Sequence, residues 1–295
     1  WSDTPDCTVD YADMAYMAER WLLSDVNLPT SAPGESNLVA RWELNGNATD
    51  SHNGHNGTAE GDYSWVTGQV GQAIEFTGSG GKVLVDDAEA LRPENQVSVC
   101  AWMRALESPD SSRVVVKGEN DKENFDLEVN GDNLIFCVRD GNDPNADDFP
   151  RYAAVTEDNP LSFGQWNHIA GTYDGNSVKC YVNAQLAAKD NDLPEGKDPC
   201  DIVILSQDTS GLAIGNCSDA NDKEFIGDID DVYLYNRGLS AQEIAYVATA
   251  PDNDGYFPLV SEANIYDAEP EGSKAVNMRD LAVLINDWMK EILWP

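Results

Sequence analysis

The sequence predicts a mainly β protein, an antiparallel jelly-roll sandwich with short amphipathic helices at both termini. Three observations favour this class. From Leu38 onward, short apolar runs of strand length alternate with turn residues, and almost no helical periodicity interrupts them. The turns Asn130-Gly131-Asp132 and Asp174-Gly175-Asn176 provide residues that accept the positive φ angles of tight hairpins. A segment with helical periodicity occurs near each end of the chain.

The predicted strands are short and are separated by Gly, Asn, Asp and Pro. Regular spacing of this kind is typical of all-β sandwiches. In chain order they are LVARWEL (38–44), QAIEF (72–76), KVLV (82–85), VSVCAWM (97–103), RVVVKG (113–118), FDLEV (125–129), LIFCV (134–138), YAAV (152–155), NHIAGTY (167–173), VKCYV (178–182), LAIG (212–215) and DVYLY (231–235).

A short helix is predicted where the strands end, in LSAQEIAYVATAP (239–251). Ser240 can cap its first turn, Glu243 provides the reciprocal carboxylate of a capping box, and Pro251 ends it.

The terminal helices are predicted from VDYADMAYMAERWL (9–22) and VNMRDLAVLINDWM (276–289), which align without a gap. Each places apolar residues at positions i, i+3, i+4 and i+7, so each forms one apolar stripe. An isolated helix of this length is marginal in water, so each stripe needs a partner, either in the same chain or in a neighbouring one. The residues predicted to make this association are Met14, Met17, Trp21, Leu281, Leu284 and Trp288.

A linker is predicted in NLPTSAPGES (27–36), which is rich in Pro, Ser and Gly. The predicted organisation is therefore a terminal segment at 1–26, a linker at 27–37, a jelly roll at 38–250 and a C-terminal segment at 251–295.

The charge balance excludes two classes of partner. The 18 Lys and Arg residues stand against 53 Asp and Glu residues, a net charge of -35, which repels nucleic acid and anionic membrane surfaces. No run approaches the ~18 apolar residues that a membrane crossing needs, so we expect no membrane insertion. Because the sequence has no initiating Met and no signal peptide, we expect a mature, processed product. We also expect the protein to be secreted or located at the cell surface.

The six cysteines lack the CxxC spacing of zinc ribbons and redox pairs. Two alternatives remain: buried thiols, or one to three disulfides with Cys200 and Cys217 as the first candidate pair.

The middle of the chain resembles the concanavalin A-like, laminin-G-type jelly rolls of secreted bacterial proteins, over roughly residues 38–250. This resemblance implies two packed antiparallel sheets, on a fold that serves lectins, carbohydrate-binding modules, adhesive domains and some glycosidases. The matching stretches are LVARWELNGNATDSHNGHNGTAEG (38–61), GQAIEFTG (71–78), VSVCAWMR (97–104), QWNHIAGTYDGNSVKCYVNAQL (165–186) and GDIDDVYLYNRGLSAQEI (227–244).

The two terminal segments resemble, more loosely, the halves of dockerin modules, in which a calcium loop precedes a helix. Here a whole domain separates the halves, and Cys7 and Lys274 occupy the loop position that requires Gly. The alternative is that Asp10 and Asn277 are simple helix N-caps.

Calcium is the one cofactor predicted, with a structural role, in the loop 45–58. Asp and Asn oxygens of this loop can converge on a hard cation. In the resembling family the loop lies near the late DIDDV strand, so the predicted ligands are Asp50 and Asn53 with Asp230 and Asp231. The alternative is a solvated, turn-rich loop.

Aromatic residues are candidate platforms for sugars. Trp42, Trp102 and Trp166 lie in or next to predicted strands and are assigned to the core. The candidates for an exposed ligand-binding surface are Tyr63, Trp65 and Tyr152, in or near loops.

No catalytic residue is predicted. A retaining glycosidase places two carboxylates roughly 5 Å apart, and laminarinase-type enzymes carry Glu-x-Asp-x-x-Glu. The nearest stretch is GDIDDVYLY, where Asp228 and Asp230 share a face but no third acid follows.

The sequence therefore predicts a secreted, non-catalytic structural or adhesive protein that self-associates through its terminal helices or binds extracellular polysaccharide or matrix. A calcium-dependent carbohydrate-binding, lectin-like module is the alternative, and a glycoside hydrolase is the third reading.

Overall fold

The structure is a computed structural model, and its description covers most of the central part of the chain. Two units make up the chain, one of Ala32–Pro251 and one of Trp1–Ser31 with Asp252–Pro295. The residues described are 31–106, 111–119, 122–141, 150–157, 160–194, 199–200, 202–206, 209–219 and 223–249, together with the backbone of 27–29 and 256–258. The two predicted terminal helices, and with them all six association residues, lie outside this range.

Strands dominate the described residues, as predicted. They are β1 (Asn27–Pro29), β2 (Leu38–Trp42), β3 (Gly57–Glu60), β4 (Tyr63–Thr67), β5 (Gln72–Phe76), β6 (Lys82–Val85), β7 (Val97–Ala105), β8 (Ser112–Lys117), β9 (Phe125–Asn130), β10 (Asn133–Arg139), β11 (Arg151–Val155), β12 (Asn167–Tyr173), β13 (Val178–Val182), β14 (Gln185–Lys189), β15 (Leu212–Ile214), β16 (Gly227–Tyr235) and β17 (Tyr256–Pro258).

Two antiparallel sheets form the unit Ala32–Pro251. The seven-stranded sheet has the order β11-β10-β9-β8-β15-β6-β3. The eight-stranded sheet has the order β14-β13-β12-β7-β16-β5-β4, and β2 pairs with β16 beside this path. The prediction of a mainly β antiparallel sandwich is confirmed.

Alternation along the strands separates a core face from an outward face. On β7, Val97, Val99 and Met103 belong to the apolar core, while Trp102 and Arg104 occupy the alternate positions. The outward faces are also largely buried, which is unusual for an antiparallel sandwich with one face in water. Both outward faces therefore hold polar groups that are removed from water.

Predicted turns connect two of the hairpins. Gly131 and Gly175 both have positive φ, at 58° and 89°, between β9 and β10 and between β12 and β13. The Asp174 carboxylate also accepts the backbone N–H groups of Asn176 and Ser177, at 3.0 and 2.9 Å.

Helix α1 (Ala241–Thr249) has the predicted capping box. The Ser240 N–H donates to the Glu243 carboxylate at 2.9 Å, and the Glu243 N–H donates to Ser240 Oγ at 3.3 Å. No helix among the described residues is long and apolar enough to cross a membrane.

Strand β1 lies in the predicted linker and pairs with β17 of the same chain. The antiparallel register joins Asn27 to Pro258 and Pro29 to Tyr256. The chain therefore brings the end of its N-terminal segment next to the start of its C-terminal segment.

The candidate disulfide between Cys200 and Cys217 is wrong. Cys217 is buried and Cys200 is exposed, and no disulfide joins them. Cys100, Cys137 and Cys180 are buried thiols, in line with the alternative that cysteines act here as small apolar side chains.

Candidate binding face

The loop 45–58 is organised around the Asp50 carboxylate. Its two oxygens accept backbone N–H groups from Arg41, His52, Asn53 and His55, at 2.9 to 3.1 Å. Burial disfavours the charge, but these four donors hold the pKa of Asp50 below its ordinary value. Asp50 thus serves as an anchor for the backbone of its own loop.

The other three predicted metal ligands point to different partners. The Asn53 amide donates to the Val39 carbonyl at 2.9 Å. Asp231 pairs with Arg41, whose Nε and Nη2 lie 3.1 and 3.0 Å from Oδ1, and Asp230 Oδ2 accepts the Val70 N–H at 2.8 Å. Among the residues described, no group of three or more His, Cys, Asp or Glu is arranged to hold a metal ion. The calcium prediction stays a prediction.

Tyr63 and Trp65 lie on the edge strand β4, on the side that faces the core. Their rings meet edge to face with centroids 5.9 Å apart. Tyr63 is 40% exposed, and Trp65 packs partly against the core cluster. These two residues form a small aromatic edge, and their role as ligand-binding residues stays a prediction.

Tyr152 does not belong to an exposed surface. It is 2% exposed and lies in the core cluster, because it occupies an inward position of β11. Its prediction as a ligand-binding residue is corrected: the YAAV stretch is a covered strand rather than a loop edge.

A row of polar and aromatic side chains crosses the outward face of the eight-stranded sheet. Strand register places Arg104 opposite Asp228, Asp228 opposite Glu75 and Glu75 opposite Ser64. Trp166, just before β12, lies under the Arg104 guanidinium, whose carbon is 5.2 Å from the ring centroid. We call these five residues the outer row.

The outer row is linked by direct contacts and is partly open to solvent. Arg104 Nε donates to Asp228 Oδ2 at 2.5 Å, and Ser64 Oγ donates to Glu75 Oε2 at 2.7 Å. The Arg104 side chain is 34% exposed, and Trp166 and Glu75 are half-buried. This arrangement presents one aromatic ring beside alternating donors and acceptors.

Two apolar side chains border the outer row. Leu106 is 53% exposed and Ile226 is 36% exposed, and each lies two residues beyond a member of the row on the same strand end. The outer row is thus a partly exposed polar and aromatic strip with two exposed apolar side chains at its margin.

A second row lies beside the first, two residues further along each strand. His168 is opposite Trp102, and Trp102 is opposite Asp230. The Trp102 and His168 rings meet edge to face with centroids 5.3 Å apart. We call these three residues the inner row, and all three are buried.

Burial shifts the pKa values of His168, Asp230 and Asp228. It lowers the pKa of His168 to about 3, so this imidazole is neutral at physiological pH. It raises the pKa of Asp230 to about 7, with the neighbouring Asp231 adding to the effect. Burial also raises the pKa of Asp228, although the Arg104 guanidinium opposes it.

The outward face of the seven-stranded sheet carries a different arrangement, which we call the charge cluster. Arg113 lies 3.2 Å from Glu123 and 2.7 Å from Asp126, and it also pairs with Glu128. Arg139 Nε lies 2.7 Å from Glu123. The cluster comprises these five buried residues.

The pKa values in the charge cluster follow its pairing. Burial opposes the charge of Glu123, but Arg139 and Arg113 hold the pKa below its ordinary value. Burial raises the pKa of Asp126 to about 8, because Arg113 only partly offsets desolvation and the nearby Glu128 and Glu123 carboxylates.

Neither row was predicted from the sequence, although every member except Ser64 lies in a stretch that carries the family resemblance. Trp166 was expected in the core but stacks on Arg104, and Trp102 is buried on the outward face rather than in the core cluster. The available signal was a pair of polar or aromatic residues two apart in QWNHI, AWMR and GDIDD. Only the strand register shows that the three pairs are neighbours.

Comparisons with solved structures show the same fold in a domain of an arabinanase and in toxin binding domains. Domain 4 of AbnA, a GH43 extracellular arabinanase from Geobacillus stearothermophilus, solved with arabinotriose, is 19% identical over 72% of this chain and 98% of that one, with a TM-score of 0.51. The botulinum neurotoxin serotype G binding domain is 14% identical over 72% of this chain and 50% of that one, with a TM-score of 0.54.

A third structure concerns cell entry of botulinum neurotoxin type C, which depends on interaction with two ganglioside molecules. It is 14% identical over 71% of this chain and 50% of that one, with a TM-score of 0.51. This chain spans about half the length of the toxin binding domains that it matches. At these identities the likeness shows the fold. Comparison with curated protein sequences finds no match.

A family model confirms the part of the resemblance that concerns the jelly roll. The Laminin_G_3 model, described as Concanavalin A-like lectin/glucanases superfamily, matches residues 77–245, which is more than half of the 295 residues. The matched range contains three of the five outer-row residues and all of the inner row. The chain belongs to the Laminin_G_3 family of the concanavalin A-like lectin/glucanases superfamily.

Proposed function

We propose that this protein is a non-catalytic, extracellular carbohydrate-binding module with an adhesive role, and that it binds neutral saccharides at the outer row. The observation that carries the proposal is the outer row itself. It places a half-buried Trp166, a partly exposed Arg104 and the carboxylates of Asp228 and Glu75 on adjacent strands.

The chemistry of the row matches that of a sugar. Each sugar hydroxyl both donates and accepts a hydrogen bond, so a guanidinium beside a carboxylate can serve two neighbouring hydroxyls at once. The apolar C–H face of a sugar ring can pack on the Trp166 ring. Rigid strands hold these groups, which reduces the ordering cost of binding.

Charge favours a neutral ligand over an acidic one. The outer row holds two carboxylates against one guanidinium, and the whole chain has a net charge of -35. Both repel uronic-acid and sulfated polysaccharides at low ionic strength.

The state of the carboxylates supports a binding rather than a catalytic role. Asp228 Oδ2 is held by Arg104 at 2.5 Å, and Glu75 Oε2 accepts from Ser64 Oγ at 2.7 Å. A glycosidase needs one carboxyl group free to donate a proton and a second free to attack or to activate water. The structures of an extracellular arabinanase domain and of toxin binding domains on this fold add support for an extracellular setting.

The proposal is tested by a glycan array that contains neutral and acidic saccharides, followed by calorimetry with arabinotriose as the first probe. We expect signal on neutral glycans and no release of reducing sugar on prolonged incubation. Trp166→Ala should weaken binding at least tenfold, roughly the loss of one stacking contact. Leu186→Ala, which also truncates an exposed side chain of the same sheet, is the control and should bind as the wild type does.

Two results would count against the proposal. One is a wild-type protein that binds only acidic glycans or none. The other is Trp166→Ala binding with unchanged affinity while the protein remains folded by circular dichroism.

A second candidate function concerns association of the terminal segments. One observation favours their association within one chain. Strand β1 follows the N-terminal segment, β17 lies within the C-terminal one, and the two pair within one chain. We propose that the terminal segments close on each other intramolecularly. Light scattering should then show a monomer whose mass is unchanged by Trp288→Asp. A concentration-dependent oligomer that this substitution dissolves would favour exchange between chains instead.

A further inference from the structure

The inner row has an unusual set of buried polar atoms. His168 Nδ1 and Nε2, Trp102 Nε1 and Asp230 Oδ1 are all buried and have no hydrogen-bond partner, and the same holds for Asp228 Oδ1 in the adjoining outer row. These five atoms belong to four residues on three adjacent strands. A buried donor or acceptor without a partner lowers the stability of the fold, so the grouping of five such atoms in one place indicates a site for a ligand or for ordered water.

The two rows form one grid on strands β12, β7 and β16. Trp166 precedes His168 by two residues, Arg104 follows Trp102 by two, and Asp228 precedes Asp230 by two. Because residues two apart point to the same face of a strand, the outer-row members Trp166, Arg104 and Asp228 each lie beside an inner-row member. The partly exposed Arg104 and Trp166 are therefore next to the buried groups.

The second oxygen of each aspartate is already committed. Asp230 Oδ2 accepts the Val70 N–H at 2.8 Å, and a Cβ on Gly68 would lie only 2.5 Å from that oxygen. Asp228 Oδ2 accepts from Arg104. The protein backbone and Arg104 thus close one side of each carboxylate, and the orphaned Oδ1 atoms remain on the other.

The pattern of donors and acceptors restricts the occupant. Trp102 can only donate, the two Oδ1 atoms can only accept while ionised, and the neutral His168 ring donates once and accepts once. A cation does not satisfy an indole N–H, and an anion is repelled by two aspartates. Neighbouring strands are ~4.8 Å apart, so the occupant must donate and accept at several points over that spacing.

A polyhydroxylated molecule meets these requirements. We propose that the inner row is a deep subsite that receives the hydroxyl groups of one neutral sugar residue, with Arg104 and Trp166 as its entrance. This inference rests on the proposed carbohydrate-binding function and adds a specificity-determining subsite to it. The sugar hydroxyls would replace the ordered water that otherwise occupies such buried polar sites.

Trp102→Phe is the central test, because it removes the N–H donor and keeps a packed aromatic ring. Calorimetry uses the neutral trisaccharide that gives the strongest array signal, with arabinotriose as the first probe. We expect Trp102→Phe and Asp230→Asn each to weaken binding about tenfold, as expected for one lost hydrogen bond to a buried group. Leu186→Ala, at an exposed position of β14 in the same sheet, is the control and should bind as the wild type does.

A second measurement keeps the test independent of how well these variants fold. The chain has three histidines, so the His52→Gln, His55→Gln double variant retains only His168. Its ring resonances in a 15N–1H spectrum should shift when the trisaccharide is added and should not shift with an equal concentration of a non-binding sugar.

The outcomes separate the subsite from the function. Wild-type binding that Trp166→Ala removes, but that Trp102→Phe and Asp230→Asn leave unchanged, would overturn the deep subsite while the carbohydrate-binding proposal stands. His168 resonances that ignore a bound trisaccharide would do the same. Absence of any saccharide binding by the wild type would overturn both.

Discussion

The outward faces of the two sheets both bury polar side chains, but they satisfy them in different ways. In the charge cluster of the seven-stranded sheet, Arg113 and Arg139 are within ion-pair distance of Glu123, and Arg113 also reaches two further carboxylates. In the inner row of the eight-stranded sheet, both nitrogens of His168 and the indole nitrogen of Trp102 have no partner. Burial of polar groups therefore does not by itself mark a binding site. Asp126 Oδ1 in the charge cluster also has no partner, but every residue of that cluster has an ion-pair partner, whereas the two rings of the inner row make no hydrogen bond through their nitrogens.

This difference has a physical basis. A buried carboxylate beside a guanidinium recovers much of its desolvation cost within the protein, so it can be retained for stability and specificity of the fold. A buried imidazole and indole N–H with no partner recover nothing until a ligand or water arrives. Such groups lower stability in the free protein, as is common at functional sites.

The largest expected effect is on the charge cluster. Arg113→Met removes the cation shared by Glu123, Asp126 and Glu128 and leaves these buried carboxyl groups without it, so we expect a loss of about 3–5 kcal/mol in the free energy of unfolding, measured with urea. Lys122→Met removes an exposed pair with Glu119 and should change it by less than ~1 kcal/mol. An equal effect of both variants would mean that the cluster is not tightly paired.

Two neighbouring positions on β12 test how pairing of a buried polar side chain affects stability. The Asn167 amide makes hydrogen bonds with Ser162 and Gln165, whereas His168 makes none with its ring. Asn167→Leu should therefore destabilise the protein by about 2–3 kcal/mol, because it leaves backbone groups unpaired. His168→Leu should be neutral or stabilise it by about 1 kcal/mol. Thermal denaturation of both variants tests this, and a large loss with His168→Leu would show that its ring has a partner.

The pH dependence of stability tests the raised pKa values on both faces. The folded chain keeps protons on Asp230 up to about pH 7 and on Asp126 up to about pH 8, whereas the unfolded chain releases them near pH 4. Between pH 6.5 and 8 we thus expect the free energy of unfolding to fall as pH rises, by at most ~1.4 kcal/mol per pH unit and group.

His168 acts in the opposite direction at lower pH. Its pKa is lowered to about 3, so the unfolded chain binds the extra proton between about pH 3 and 6.5 and stability rises with pH there. Urea unfolding at half-unit steps from pH 6.5 to 8 isolates the aspartates from this effect. Asp230→Asn and Asp126→Asn should each flatten the slope; a slope that neither variant alters would contradict the assignment.

The smallest expected effect concerns calcium. The Asp50 oxygens accept four backbone N–H groups, so the loop 45–58 is held without a cation. We expect the melting temperature of this unit to differ by less than ~1 °C between excess calcium and chelator. A change of about 1 kcal/mol in the free energy of unfolding would shift the melting temperature by more than that. A melting temperature that rises with calcium, and no longer rises in Asp230→Asn, would contradict this expectation. A cation would then be the missing partner of the inner row.

Much of the sandwich could be predicted from local pattern. β5, β6, β12 and β13 have the predicted bounds, since apolar alternation and flanking turn residues determine them locally. The strands β3, β4 and β14 were missed. Their residues are mostly exposed or half-buried and alternate weakly, so the period-2 signal is absent from GTAE and QLAAK.

The predictions of site residues were less accurate, because these sites depend on the register of the strands. The sequence predicts Asp230 and Asp231 at one metal site, but a bulge in β16 gives Asp231 a φ of 48°, so Asp231 pairs with Arg41 while Asp230 accepts the Val70 N–H. The sequence predicts Tyr152 at an exposed surface near a loop, but β11 is covered and Tyr152 is a core residue. Neither fact has a local sequence signature.

The sequence by itself determined the antiparallel sandwich, two of its hairpin turns and the capping box of α1, because each depends on residues within a few positions of one another. Only the tertiary structure decided where the outward polar residues meet. Trp102, His168 and Asp230 come from three strands that are far apart in the chain, and their grouping depends on which strands pair and in which register. Whether a buried polar group finds a partner is likewise a property of that packing, so the candidate subsite becomes visible only once the strands are assembled.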